Sequence, residues 1–211
     1  MVKLGVIGGG EAYRLLREGA IKGENLGAKE TPFGKSQPIF HIRPAGGGEY
    51  YFLSRHGVDA FSINSSAVNY RANIYAMKDL GVQCILAWSG VGSIAEGFPS
   101  GSFAVLEDVI DETRKRASTF YENNGIGFLR QNPLFCPRLR RCLKSALDTL
   151  RLNVRVGGVY VCTEGPRLDT AAEIRKFQSY GAELVGSTLV PEVFLARELE
   201  LCYASFAFVT N

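Results

Sequence analysis

Short apolar runs alternate along this chain with segments whose apolar residues recur at helical spacing. Val2–Ile7 reads as a first strand that runs into Gly8-Gly9-Gly10. Residues 23–50 are rich in Gly, Pro, Lys and Thr, with brief apolar pieces such as Pro38–Ile42, which predicts loops and short antiparallel strands. Tyr50–Ser54 reads as another strand, ending at Arg55-His56-Gly57. Over Asn64–Leu80 the apolar positions Val68, Ala72, Tyr75 and Ala76 predict a helix, and Gly81 is its expected stop. Cys84–Trp88 is fully apolar and predicts a buried strand, delivering Ser89-Gly90-Val91-Gly92-Ser93 as a glycine-rich turn. Phe103–Leu106 is a further strand.

In Pro137–Leu150, Leu139, Cys142, Leu143, Ala146, Leu147 and Leu150 share one helical face, with proline near the first position, where it costs no hydrogen bond. Val159–Thr163 predicts a strand leading to Glu164-Gly165-Pro166-Arg167, where Glu164 and Arg167 are candidates for an ion pair. Thr170–Tyr180 is helical, Leu184–Val185 leads to Gly186-Ser187-Thr188, Pro191–Cys202 is helical, and Ala204–Thr210 is a last strand. Strands alternating with helices indicate an α/β fold with a mixed sheet. A doubly wound fold rarely stops on a strand without a covering helix, so further chain is expected after Asn211.

Composition narrows the class. The 211 residues are 46% hydrophobic and 21% charged, ordinary for one globular domain. A net charge of +3 is too small to imply a polyanionic partner, so no nucleic-acid partner is expected. No segment approaches the ~20 apolar residues of a membrane span. The opening run, Met1 to Gly10, lacks the basic front of a secretory signal, and a cytoplasmic protein is expected. The five cysteines, Cys84, Cys136, Cys142, Cys162 and Cys202, include no C-x-x-C pair. Reduced thiols used as small apolar residues are the expectation, rather than disulfides or a zinc site. The basic residues Arg138, Arg140, Arg141 and Lys144 read as a solvated helix face.

In such sheets ligands gather at the carboxyl ends of strands. Four predicted strand ends carry small or charged polar groups: Gly8–Gly10, Arg55-His56, Ser89-Gly90 and Ser187-Thr188. Glycine-turn N–H groups, an arginine fork and hydroxyls together suit an anion. Each feature alone has a commoner explanation, since glycine triplets are frequent turns and Arg-His pairs are usually structural. The residues by themselves point to an α/β enzyme for a small anionic or phosphorylated ligand.

The motifs in order go further: Gly5-Val6-Ile7-Gly8-Gly9, Thr31-Pro32-Phe33-Gly34-Lys35, Arg55-His56-Gly57, and Val68-Asn69-Tyr70-Arg71-Ala72-Asn73-Ile74. Then follow Ser89–Ser93, Phe135-Cys136-Pro137, Glu164–Arg167, Pro191-Glu192 with Leu195–Glu198, Cys202-Tyr203-Ala204 and Val209–Asn211. Over essentially its whole length the chain resembles the methylthioadenosine phosphorylase branch of the trimeric purine nucleoside phosphorylases. The resemblance implies a single α/β domain, residues 1–211, with a twisted, partly closed mixed sheet flanked by helices, lacking the family's usual C-terminal loop and helix. It implies a homotrimer in purine salvage. The implied reaction is phosphorolysis of a purine nucleoside or 5′-methylthio-purine nucleoside to free purine and (methylthio)ribose 1-phosphate. Phosphate is then the co-substrate, with no metal or organic cofactor.

By position, the resemblance implies that Gly10, Arg55, His56, Ser89, Gly90 and Thr188 bind phosphate. Gly90, Leu168, Ser187 and Asn211 fall where the nucleoside binds, and Asn211 takes the catalytic place at the purine ring. An amide donates to a carbonyl whereas a carboxylate accepts from an amino group, so Asn211 favours 6-oxopurines. Several positions depart from the family pattern. Gly10 replaces a hydroxyl residue, Glu11 replaces a glycine, and Val58-Asp59-Ala60 replace a basic stretch. Ser187 replaces the methionine under the ribose, Leu168 replaces an aromatic, and Glu112 replaces an arginine. Two alternatives therefore stand beside the phosphorylase: a weak or inactive paralogue that binds a purine compound or serves as an assembly subunit, and a hydrolytic nucleosidase. The aromatics Phe120, Tyr121, Phe128 and Phe135 are expected in the core rather than at an interface.

Overall fold

Strand β1 (Leu4–Gly8) forms in the computed structural model, which describes residues 2–122, 125 and 127–211. Met1, part of the opening apolar run, lies outside the described residues. A short helix α1 (Ala12–Arg17) follows, then β2 (Gly23–Asn25), a two-stranded hairpin of β3 (Glu30–Thr31) and β4 (Gly34–Lys35), β5 (Ile39–Ile42) and β6 (Tyr50–Ser54). Helix α2 (Tyr70–Asp79) precedes β7 (Cys84–Ser93), β8 (Phe103–Val105) and β9 (Asp108–Glu112). Helix α3 (Pro137–Thr149), β10 (Val154–Val156), β11 (Val159–Thr163), α4 (Ala171–Ser179), β12 (Leu184–Gly186), α5 (Glu192–Glu198) and β13 (Cys202–Val209) complete the chain.

The main sheet runs β10-β8-β13-β7-β1-β6-β5-β2 and branches at β7, whose far end pairs antiparallel with β12 and through it joins β11 and β9. Strands β6, β1, β7 and β13 are mutually parallel, so their carboxyl ends share one edge. Alternate residues of β7 serve two layers. Ile85, Ala87 and Val91 enter the main core with Ile74, Met77 and Val193, while Leu86 packs with Leu143 and Leu147 of α3. Period-two alternation is the direct consequence of strand geometry.

The structure corrects the glycine-rich turn expected after Trp88. Ser89–Ser93 continues β7, paired with β13 as far as Val91↔Val209. Gly90 and Gly92 serve close approach rather than a bend: a Cβ on Gly90 would lie 3.0 Å from the Phe208 ring, and one on Gly92 3.3 Å from Val185. The helix expected over 64–80 is split. Asn64 caps a 3-10 turn, Ser65–Ala67, Val68 is extended, and Asn69 restarts the chain as the cap of α2, accepting the Ala72 N–H at 3.1 Å. Gly81, at φ +78°, ends that region as expected. Helix α5 stops at Glu198 rather than running to Cys202, which starts β13. Strands β9 and β10 were not signalled by their mixed, short sequences. On α3 only Leu143 and Leu147 of the predicted stripe are buried, while Leu150 lies exposed. Phe135 is core and Phe120 packs against it, but Phe128 is 94% exposed and Tyr121 also faces solvent. No helix of the described residues is long and apolar enough to cross a membrane.

The expectation of five reduced cysteines is also corrected: Cys136 and Cys202 are disulfide-bonded, Cα atoms 5.4 Å apart, leaving Cys84, Cys142 and Cys162 free. The bond ties the residue before α3 to the first residue of β13, positions 66 apart in sequence. Closing a loop of that length removes unfolded-state entropy amounting to about 4 kcal/mol. We predict that Cys136→Ser/Cys202→Ser, or strong reductant, lowers the urea midpoint by a corresponding amount, and that reductant has no further effect on the double variant.

Candidate active site

Because four parallel strands end on one edge, residues far apart in sequence meet there. A cleft of about 310 Å³ opens at the ends of β1, β6, β7, β12 and β13. Gly10, His56, Ser89, Gly90, Thr188, Ser187, Leu168 and Asn211 all line it. An adjoining cleft of about 290 Å³ shares Leu168, Ser187 and Asn211 and adds Asp169 and Thr163.

Arg55 is the exception. The resemblance implied a direct phosphate ligand, but its side chain is fully buried and does not line the cleft. Its Nε and Nη2 donate to the two oxygens of Glu192, at 2.6 and 2.8 Å, and Nη1 donates to the Trp88 carbonyl at 3.1 Å. Tyr203 donates its hydroxyl to the same carboxylate at 2.6 Å. Burial disfavours the guanidinium charge, but Glu192 outweighs that and holds it protonated. Arg55 thus supports the site from beneath. A Cβ on Gly9 would come within 2.9 Å of Nη1 and 2.7 Å of the Trp88 carbonyl, so glycine is required where the first loop crosses this ion pair.

The cleft wall itself is mostly neutral. Ser89 and Thr188 join hydroxyls at 2.7 Å, and the Thr188 N–H donates to the Tyr160 hydroxyl at 3.1 Å. That hydroxyl lies against Gly186, where any Cβ would collide with it. His56 places Nδ1 2.8 Å from the Ile63 carbonyl. Burial, then the Arg55 and Arg116 charges, push its pKa down to about 4. Gly10 has φ +45° and open space where a side chain would stand. The Glu11 carboxylate turns away to Arg14 at 3.4 Å, which removes the repulsion its position suggests.

At the other end of the cleft the Ser93 N–H donates to the Asn211 carbonyl at 2.7 Å, and the Thr210 hydroxyl donates to Asn211 Oδ1 at 2.8 Å. The same hydroxyl also meets the Val91 carbonyl at 3.0 Å, and the Asn211 side chain lies exposed at this end of the cleft. Asp169 was missed in the sequence. Burial raises its carboxyl above the usual range, with Thr163 donating to it at 3.3 Å. No local signal marks it, since it follows a turn and precedes a helix cap, a common place for Asp. Phe61, Asn64 and Ser65 also line the cleft without having been singled out.

The expected Glu164–Arg167 pair does not form. Arg167 pairs with Glu173 at 2.6 Å. Glu164 accepts the backbone N–H groups of Arg114 and Lys115 at 2.6 and 3.2 Å. Burial pushes its carboxyl up, but those donors and Arg116 outweigh it and leave it below the usual range. Arg116, also unnoticed in the sequence, donates to the carbonyls of Val190, Glu164 and Thr163 and to the Tyr70 hydroxyl. It thereby clasps the loop after β9 to the ends of β11 and β12.

This fold, with a neutral polar cleft over a buried ion pair, matches the Phosphorylase superfamily across residues 3–211. The chain belongs to that family. It is 41% identical over 208 residues to a Methanothermobacter thermautotrophicus protein described as a probable S-methyl-5′-thioinosine phosphorylase, covering 99% of this chain and 71% of that one. It is 40% identical over 222 residues to a 6-oxopurine nucleoside phosphorylase of Pyrococcus furiosus, covering 100% and 80%. Among solved structures, ligand-free methylthioadenosine phosphorylase from Schistosoma mansoni superposes with a TM-score of 0.90 at 34% identity, covering 100% of this chain and 81% of that one.

Two predictions follow from the geometry. Removing one partner of a buried ion pair strands the other charge, at a cost of about 3–5 kcal/mol. Glu192→Ala should lose that much in denaturant unfolding, and Tyr203→Phe less. Below its ordinary value near 6.5, His56 takes up a proton in the unfolded chain, while the folded protein resists it down to about 4. The unfolded state then binds more protons, so stability falls as pH drops through that window and the effect is absent above it. Urea midpoints between pH 7.5 and 4.5 should decline more steeply for the wild type than for His56→Gln.

Proposed function

We propose that this protein cleaves the N-glycosidic bond of a purine nucleoside or 5′-methylthio-purine nucleoside with phosphate. The products are free purine and (methylthio)ribose 1-phosphate. The observation that carries this reading is one continuous cleft with the Ser89–Thr188 hydroxyl pair in its wall and the Asn211 amide at its far end. Phosphate sits against Gly10, His56, Ser89, Gly90 and Thr188, and the nucleoside spans Gly90, Ser187, Leu168 and Asn211. Phosphate attacks the anomeric carbon as the glycosidic bond breaks, so positive charge develops on the ribosyl group and negative charge on the departing purine. The protein aligns the two reactants and supplies a donor where charge appears on the base. No step calls for a metal or organic cofactor.

Asn211 Nδ2 donates to the 6-oxo group, while the partly buried Asp169 carboxyl stands beside it to accept N–H groups of the base edge. The names of the methylthioinosine and 6-oxopurine relatives support this preference. The exposed apolar side chains of Phe61 and Leu168 on the cleft rim suit an apolar 5′ substituent. Exposed Phe128 and Leu129 suit a subunit contact in a homotrimer, in which the free base enters salvage. A purine-binding paralogue and a hydrolytic nucleosidase are the competing outcomes.

The test incubates the protein with inosine, guanosine, adenosine, methylthioinosine and methylthioadenosine, with and without phosphate, and quantifies free base. Base released only with phosphate, 6-oxo substrates leading, is the expected result. Asn211→Ala should lower kcat by about 10²-fold, the size typical of one lost transition-state donor. Asn211→Asp should shift preference towards 6-amino substrates. Release without phosphate would overturn the phosphorylase in favour of a nucleosidase.

A further inference from the structure

The rings of His56 and Phe61 are stacked, centroids 4.4 Å apart and planes within 18°. Both residues line the cleft, and Phe61 remains 52% exposed. The loop between them is closed by the N–H groups of Ser62 and Ile63, which donate to the His56 carbonyl at 2.8 and 3.2 Å. The Ile63 carbonyl in turn faces His56 Nδ1 at 2.8 Å. A carbonyl has no proton to give, so Nδ1 carries the N–H, and in the neutral ring Nε2 carries the lone pair. Nε2 has no protein hydrogen-bond partner among the described residues. The charges that act on the ring are cationic: Arg55 from its own segment and Arg116 from the loop after β9. The nearby carboxylates are engaged or solvated: Glu192 is bonded to Arg55, Glu11 to Arg14, and Asp59 is exposed. No carboxylate bonds the imidazole to favour its cation.

We propose that Phe61 is a positioning residue that locks His56 as the neutral Nδ1–H tautomer, so that Nε2 accepts the P–O–H proton of bound phosphate and discriminates against unprotonated oxyanions. This rests on the reading of the cleft as a phosphate site. HPO₄²⁻ brings one hydroxyl, which keeps its proton and donates to Nε2, and further oxygens that face the Ser89–Thr188 hydroxyl pair. Sulfate has no proton to offer at neutral pH, so one of its oxygens meets the Nε2 lone pair. Such a mismatch of like groups is how a buried site rejects a ligand of the same shape. Exposing the imidazole to water by removing Phe61 lets it take up a proton and become a donor to any oxyanion.

The protein has two histidines and one tryptophan, which makes the test direct. Nitrogen-15 NMR of the ring nitrogens reads tautomer and protonation between pH 5 and 8, with His41→Gln assigning the second signal. Fluorescence of Trp88, whose carbonyl meets Arg55 next to Ser89, follows binding of inorganic phosphate and of sulfate without requiring turnover. The wild type should show the Nδ1–H tautomer, no titration above pH 5, and sulfate at least about tenfold weaker than phosphate. In Phe61→Ala, His56 should titrate towards 6.5 and sulfate binding at pH 6 should strengthen by about tenfold. Phe61→Leu, which keeps apolar bulk without a stacked ring, should fall between. A wild-type His56 that titrates near 6.5 or carries its proton on Nε2 would overturn the proposal. So would a Phe61→Ala protein in which both the NMR signals and the sulfate-to-phosphate ratio are unchanged. Both readouts stand apart from base release, so a locked histidine in a protein without phosphorolysis would count against the catalytic reading alone.

Discussion

A buried arginine in this protein has to be matched by a buried carboxylate, and much of the site is arranged around that match. Arg55 leaves the end of β6, Glu192 begins α5, and Tyr203 comes from β13. The two charges meet where both side chains are fully buried, and each alone would be very costly to hold. The bidentate geometry and the tyrosine hydroxyl satisfy most of their hydrogen-bonding capacity. The fourth contact, from Arg55 to the Trp88 carbonyl, ties the network to β7 immediately before Ser89. The glycine loop after β1 crosses directly above, where Gly9 leaves no room for a side chain. Three strands and a helix are thereby fixed relative to one another at the edge where the cleft opens.

The consequence for the cleft is that its positive charge is held below the surface while the surface itself is neutral. Hydroxyls, backbone groups and the His56 imidazole line it. Beside Gly10, Ser89 and Thr188 remain paired in the cleft wall, and Glu11 is drawn off by Arg14. The departures from the family pattern at Leu168 and Ser187 lie where the two adjoining clefts share their lining.

Two further clasps act at longer range. Arg116 holds the loop after β9 against the ends of β11 and β12 through three carbonyl acceptors contributed by two segments. The Cys136–Cys202 bond pins the start of α3 to the start of β13, the strand that carries both Tyr203 and the approach to Asn211. Each joins parts of the chain that no local interaction would bring together.

The sequence by itself determined the alternation of strands and helices and the identity of the strand-end residues, because hydrophobic period and glycine placement are local properties. Tyr50–Ser54 and Val159–Thr163 were legible to the residue. His56, Ser89, Thr188, Ser187 and Asn211, singled out through their motifs, line one cleft. What lay outside the sequence's reach depended on partners distant in the chain. Ser89–Ser93 looks like a turn until Phe208 and Val185 are seen filling the space above its glycines. Nothing in the segment around Arg55 shows that Glu192, 137 residues on, takes its fork. Asp169, Arg116 and Phe61 carry no pattern of their own, and the Cys136–Cys202 pairing is invisible to spacing. Only the tertiary structure decided these, because burial and proximity set whether a charge pairs, a thiol bonds or a ring stacks, and neither is written in the order of residues along one segment.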